Sequence, residues 1–304
     1  MYREQFIVRL RGALIALTIS VCTLGIASAA SAYTFTTIDD PDATAGTFAQ
    51  GMNSSGEVVG FFADSVGSGV HGFILSNTGT FTNFDVPGAV NGTMPFGVSD
   101  SGAVAGTFFD NVGFGAHGFL MSKKGDFTTI DEPHATLETD VFGINKSGKI
   151  VGTFGNNVGS GTHGFVRDKQ GNFTSFNEPN AATGTEGYGI NNSGHIVGLY
   201  FNNVGTGIHG MSKKDGYHNF DDPSATLGTA PSGISASGDI VGTYRDDVGS
   251  TTHGFVLSKD GTWTTIDVPG ATEGTQVYGI NSQGQLSGTF TDGDGNSHGF
   301  IANP

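Results

Sequence analysis

The stretch Gly143-Ile144-Asn145-Lys146-Ser147-Gly148-Lys149-Ile150-Val151-Gly152, with His163-Gly164-Phe165 a short loop further on, decides how this chain reads. Two runs of apolar and β-branched residues flank Ser147-Gly148, a turn-forming pair, so the segment reads as a hairpin and not as a helix. Moving outward, the same Gly-x-Asn/Ser triplet opens at Gly51, Gly97, Gly143, Gly189, Gly233 and Gly279. His-Gly recurs in step at His71, His117, His163, His209, His253 and His298. Prolines mark the same beat at Pro41, Pro87, Pro133, Pro179, Pro223 and Pro269, with spacings of 46, 46, 46, 44 and 46. Self-similarity at such a period signals a repeat architecture.

Each unit reads as four short strands. In the third copy these are residues 127–130, 140–145, 150–154 and 163–166, separated by turns or loops at Asp131-Glu132-Pro133, Ser147-Gly148, Asn156-Asn157-Val158-Gly159 and Lys169-Gln170-Gly171. The one short spacing loses two residues between His209 and Pro223, in a hairpin, and an even deletion keeps every side chain on its own face of the sheet. The sixth copy loses one residue between Pro269 and His298, which places the loss in the loop of residues 292–297. A lone sheet of such strands cannot cover both faces, so neighbours must. The expectation is all-β: a six-bladed β-propeller of four-stranded antiparallel blades. Residues 33–39 form a lone strand, and the chain stops after the sixth His-Gly-Phe, so the first strand completes the last blade. The alternative is a β-solenoid with two rungs per repeat, which requires capping ends not seen in the sequence.

The Gly-Ile-Asn-x-Ser-Gly-x-Ile-Val-Gly run at residues 143–152, followed by His163-Gly164-Phe165, resembles the bacterial extracellular repeats called HAF after their His-Ala-Phe signature. The likeness extends over residues 33–304, with Gly where the signature has Ala. It implies a secreted, propeller-like protein and no particular activity.

Export is also expected from the N-terminus. Arg3, Arg9 and Arg11 precede an uncharged apolar run over residues 13–27, and Ala30-Ser31-Ala32 offers a small-x-small cleavage site. Residues 1–32 therefore read as a signal peptide and residues 33–304 as one domain, secreted to the periplasm or the cell exterior, with no membrane insertion after cleavage. Cys22, the single cysteine, leaves with the signal. The mature chain then has no disulfide or thiolate metal site and depends on packing. Three of the 13 basic residues and one of the 28 acidic ones fall in the signal, leaving a net charge of −17. Such a charge repels phosphate backbones and argues against nucleic acid as a partner.

In an up-and-down sheet, alternate connections share an edge. The Asp-x-Pro loops and the loops before His-Gly thus form one face, the top. Twenty of the 27 acidic residues of the mature chain lie there, with Arg245 the one basic residue near it; nine basic residues lie at bottom turns. An acidic top attracts cations, polyamines or a basic partner. Residues alike in every copy, such as Asp39, Asp85, Asp131, Asp221 and Asp267, are read as structural, accepting backbone N–H groups at turns. The six histidines are read as hydrogen bonds that hold the top loops. A specific site must come from positions where copies differ. The clearest is the column opening the Gly-Ile-Asn strand: Phe48, Met94, Asp140, Glu186, Ala230 and Gln276. It predicts a ligand-binding rim at the top of the channel, with Phe48 and Met94 apolar and Asp140, Glu186 and Gln276 polar.

Three functions follow from these residues. The first is non-catalytic binding or scaffolding on an extracellular glycan or protein, by a monomer that requires no cofactor. The second is a carbohydrate-active hydrolase or lyase using Asp140 and Glu186 as a carboxylate pair. The third is a calcium-stabilised surface protein, for which Asp292, Asp294 and Asn296 supply alternating oxygens without the distal glutamate of a helix-loop-helix site.

Overall fold

The computed structural model describes residues 33–64, 69–111, 115–156, 161–203, 207–246 and 252–304. The signal read over residues 1–32, with Cys22, lies outside the described residues, as do the tips of five loops before His-Gly. The described residues contain 24 strands and no helix, arranged as six four-stranded sheets. Five sheets are built in chain order: residues 47–84, 92–130, 139–176, 184–220 and 228–266, here blades 1 to 5. The sixth joins Thr275–Ile280, Leu286–Thr291 and Ser297–Asn303 to the first strand, Thr34–Ile38. That strand runs antiparallel to the last, from Thr34 opposite Asn303 to Ile38 opposite Gly299. The fold is a closed six-bladed β-propeller. The solenoid alternative is excluded, because the first and last strands of the described residues share a sheet.

Burial follows from position within each blade. In the inner strand Thr139–Ile144, side chains alternate between buried and half-buried from Thr139 to Phe142, as a strand with one face on the channel requires, before Gly143 and Ile144 are both buried. The second strand, Ile150–Gly155, is buried throughout because adjacent blades cover both its faces. The outer strand Phe173–Phe176 is largely open to solvent. Core clusters span neighbours: Val151 of blade 3 packs with Ile190, Ile196 and Met211 of blade 4. The Phe of His-Gly-Phe is wholly buried at Phe73, Phe119, Phe165, Phe255 and Phe300, and Met211 fills the same place in blade 4. Burial of such a side chain stabilises by roughly 1.5–3 kcal/mol.

Both repeat deletions lie where the pairing tolerates them. The blade 4 hairpin closes Lys213 against Tyr217, whereas blade 1 closes Leu75 against Phe81 around a turn two residues longer. In blade 6, Asp292 N–H reaches the Asn296 carbonyl, while Asp64 in blade 1 spans one residue more to Gly69.

The Gly-x-Asn triplet holds the inner strands together around the axis. A Cβ on Gly143 would lie 2.6 Å from the Tyr188 carbonyl oxygen of blade 4, so glycine is needed for the strands to converge. Two residues on, the Asn145 side-chain amide donates to the Asn191 carbonyl at 3.0 Å, and Asn191 donates to Ser235 at 3.1 Å. Asn53 likewise reaches Ser99, and Asn281 closes the circle on Asn53. Blades 2 and 5 carry Ser99 and Ser235 here, whose hydroxyls stay within their own turns. The variants Ser99→Asn and Ser235→Asn are expected to complete the circle and add about 0.5–1.5 kcal/mol each, read as a higher urea midpoint at unchanged slope.

The histidines act as clips. Nδ1 of His71, His117, His209 and His253 lies 2.7–3.1 Å from the carboxylates of Asp85, Asp131, Asp221 and Asp267, at the far end of the blade's outer strand. His163 makes the same bond to Asn177. The aspartates were expected to accept turn N–H groups; they are bound by histidine instead. Turn N–H groups go to the next residue's side chain, as His134 N–H to Glu132 and Asn180 N–H to Glu178. In the closing blade His298 lies 2.9 Å from Asp39 and 3.1 Å from Asp292, which ties the first strand to the last. Burial works against charge on His298, but these two carboxylates outweigh it and raise its pKa.

Candidate functional site

The top of the channel is formed by the opening residues of the six inner strands. Phe48, Met94, Asp140, Glu186, Ala230 and Gln276 are all half-buried there. Alternate residues of a strand share a face, so a second column lies beneath the first: Gln50, Phe96, Phe142, Tyr188, Ser232 and Tyr278. Sequence reasoning passed over this column although it varies as much, and the same rule of alternation identifies it. A third contribution comes from Phe61 and Thr107 on the neighbouring strands, opposite Phe48 and Met94.

These residues divide the mouth into two unlike halves. Phe48 stacks on Phe61 at 4.9 Å, Phe61 meets Phe96 edge-on at 6.3 Å, and Phe96, Phe142 and Tyr188 follow at 5.1 and 4.6 Å. An aromatic arc thus runs from blade 1 to blade 4. Blade 5 interrupts it with two small residues, Ala230 and Ser232. Tyr188 and Tyr278 stand on the blades to either side of that gap. The Tyr188 hydroxyl donates to Glu186 at 2.5 Å, and the Tyr278 hydroxyl donates to Gln276.

Electrostatics link the polar half. Burial, the charge of Glu138 and, more weakly, that of Glu186 push Asp140 up to about 7, although the Thr107 hydroxyl donates to it. Burial raises Glu138 as well. Tyr188 is raised well above its ordinary value by burial and by the charges of Glu186 and Asp140, and burial brings Tyr278 to about 12. Both tyrosines therefore remain hydroxyl donors throughout the physiological range. Asp140 changes charge within it.

Below this level the channel narrows to a ring of aliphatic side chains, Met52, Val98, Ile144, Ile190, Ile234 and Ile280, each 8–9 % exposed. Beneath the ring a cavity of about 80 Å³ opens to the bottom, rimmed by the Asn/Ser circle and by Asp100, Lys146 and Asn192. Its rim is self-satisfied: Asp100 accepts from Ser54 N–H, and Asn192 accepts from Lys146 N–H. This aliphatic ring lines the inner end of that cavity, with the aromatic column on its other side.

The Asp292-to-Asn296 turn is occupied by its own donors. Asp292 accepts from the N–H groups of Asp294 and Asn296, and also bonds the Asn296 amide and His298. The Asn296 N–H and His298 contribute most to holding its carboxyl near 2. Among the described residues, no group of three or more His, Cys, Asp or Glu side chains is placed to hold a metal ion.

No protein-family model matches the sequence, and no curated protein matches it. Solved structures do share its architecture. TolB from Acinetobacter baumannii superposes with a TM-score of 0.56 and 12% identity, covering 82% of this chain and 64% of that one. A subtype N11 neuraminidase-like protein gives 0.50 at 9% identity, over 89% of this chain and 93% of that one. A virginiamycin B lyase from Staphylococcus aureus gives 0.49 at 12% identity, over 90% and 100%. The likeness is one of fold.

Proposed function

We propose that this chain is an exported binding propeller that takes a positively charged extracellular ligand, a polyamine or a basic segment of a protein, at the top mouth of its channel. The observation that carries the reading is the break in the aromatic arc. Blade 5 presents Ala230 and Ser232 where other blades present large side chains, between the blades of Tyr188 and Tyr278, with the Glu186 carboxylate on the adjacent blade and Asp140 one blade further round. Aromatic faces and carboxylates together suit an ammonium or guanidinium group carried on an apolar stem. The acidic top supports the reading by steering cations toward the mouth. Export rests on the N-terminal signal and on the resemblance to HAF repeats.

Two carboxylates in different settings also favour a second reading, acid–base cleavage of a polysaccharide, with Asp140 titrating near 7. The two are separated by one set of measurements. Spermidine and Lys- or Arg-containing peptides are titrated into the full chain by calorimetry, and polysaccharides are incubated with it and assayed for products. Binding is expected to strengthen as pH rises through about 7, because Asp140 then loses its proton. Replacing both Asp140 and Glu186 by alanine is expected to weaken it at least roughly tenfold, since each lost charge-assisted bond is worth about 1.5–3 kcal/mol. Unchanged affinity in the double variant rejects the binding site; release of sugar products favours the second reading.

A further inference from the structure

The segment joining the closing strand to blade 1 departs from its five counterparts in a way that points to an ion. The residue after each His-bound position is Asp40, Val86, Glu132, Glu178, Asp222 or Val268, and its backbone N–H donates to a buried threonine seven residues on, as Asp40 does to Thr47. Four of the six are acidic, and all four are buried at 3–6 % exposure. A buried carboxylate needs donors. In three copies the residue two positions later supplies them. His134 meets Glu132 through its own N–H and its Nδ1. Asn180 gives Glu178 an N–H and an amide, and Asn219 adds a third donor. Ser224 gives Asp222 its N–H and its hydroxyl.

In the first copy that position is Asp42, whose side chain is an acceptor. Asp40 is 3 % exposed, and its Oδ1 receives the Asp42 N–H at 2.9 Å and the Asn83 amide at 3.3 Å. Its Oδ2 is buried with no hydrogen-bond partner. The Asn83 amide nitrogen is shared with Asp42 Oδ2 at 2.9 Å, so two carboxylates converge on one amide. Neighbouring Asp39 is engaged with His298. Burial, with the nearby charge of Asp42, raises the Asp40 pKa, as expected of a carboxylate short of positive partners.

We propose that Asp40 and Asp42 together hold a divalent cation of the calcium class, with the Asn83 side chain turned to present its oxygen. Two carboxylates and an amide oxygen are hard donors of the kind calcium takes, and water completes the six to eight ligands through the exposed Asp42 side. The orientation of an amide follows from its hydrogen-bond partners, so the same Asn83 serves either state. Asp40 follows the closing strand, and Asn83 lies on the outer strand of blade 1. The ion therefore ties the closed end of the ring to its first blade. This site is distinct from the turn at Asp292 and from the channel mouth.

The test uses the full chain stripped with a chelator. Calcium titrated by calorimetry is expected to bind one ion per chain at this site and to raise Tm by about 5 °C at a hundredfold excess over Kd. Asp42→Asn restores the donor found in the Asn180 copy. It is expected to abolish both responses while melting, in chelator, no lower than the parent chain. The absence of a calcium response in the parent chain overturns the proposal, since Asp40 is then satisfied by a proton. An equal response in Asp42→Asn also overturns it, since the ion then sits elsewhere on the acidic face. Polyamine binding at the mouth is read separately, so either result stands apart from the proposed function.

Discussion

Gly152→Ala is expected to destabilise the ring by about 3 kcal/mol, at the upper end of what overpacking costs. A Cβ there would lie 2.1 Å from the Asp140 carbonyl oxygen and 2.8 Å from the Phe165 ring. Neither neighbour can yield. The carbonyl belongs to the inner strand, in regular register just before the irregularity between Val141 and Gly143, and moving it disturbs that strand's pairing. Phe165 is wholly buried and fixed between blades. The control is Gly216→Ala, where an added Cβ has nothing within 4 Å and φ lies outside the left-handed region. That change is expected to alter stability by no more than about 0.5 kcal/mol. Urea denaturation of the two variants measures the difference, and equal costs would show that close approach at Gly152 is not what the repeat requires. The same variant displaces Asp140, so its affinity for a cationic ligand is expected to fall as well.

Deleting residues 33–38 is expected to lower Tm by roughly 10–20 °C, taking about 2–4 °C per kcal/mol for a domain of this size. The loss has identifiable parts. Tyr33 and Phe35 pack on the last core cluster, with Phe35 edge-on to Phe300 at 5.7 Å, and Ile38 packs on the cluster of blade 1. The five-pair ladder with Ser297–Asn303 goes too. What remains is an open edge strand, which templates association with another chain. Calorimetry is expected to show the lower transition and size-exclusion chromatography to show oligomers. A truncated chain that melts and elutes as the intact one does would mean that the ring does not depend on its closure.

Much of this was legible in advance because it is periodic. The number of blades, the strand order, the two shortened connections and the use of residues 33–39 to finish the last sheet follow from spacing and turn chemistry. So does the opening column of the channel, found by removing what the copies share. The histidines were read as hydrogen bonds that hold the top loops, and hydrogen bonds they make, but the sequence did not name their partners. The bond from His71 to Asp85 joins two strands across a hairpin, and the turn rule assigned that aspartate to nearby N–H groups. The orphaned oxygen of Asp40 was likewise hidden, since a carboxylate before a turn reads the same whether Asp42 or Asn180 follows its equivalent.

The sequence by itself determined that six equal sheets pack side by side around an axis, because alternation along a strand and repetition between strands are local properties of the chain. Only the tertiary structure decided which side chains meet at that axis. Phe142 and Tyr188, 4.6 Å apart, are one repeat distant along the chain, and Tyr188 and Tyr278 are two. Their meeting depends on how closely glycine lets the inner strands converge and on where blade 5 leaves the arc open. Those are distances between blades, and no periodicity within one blade contains them.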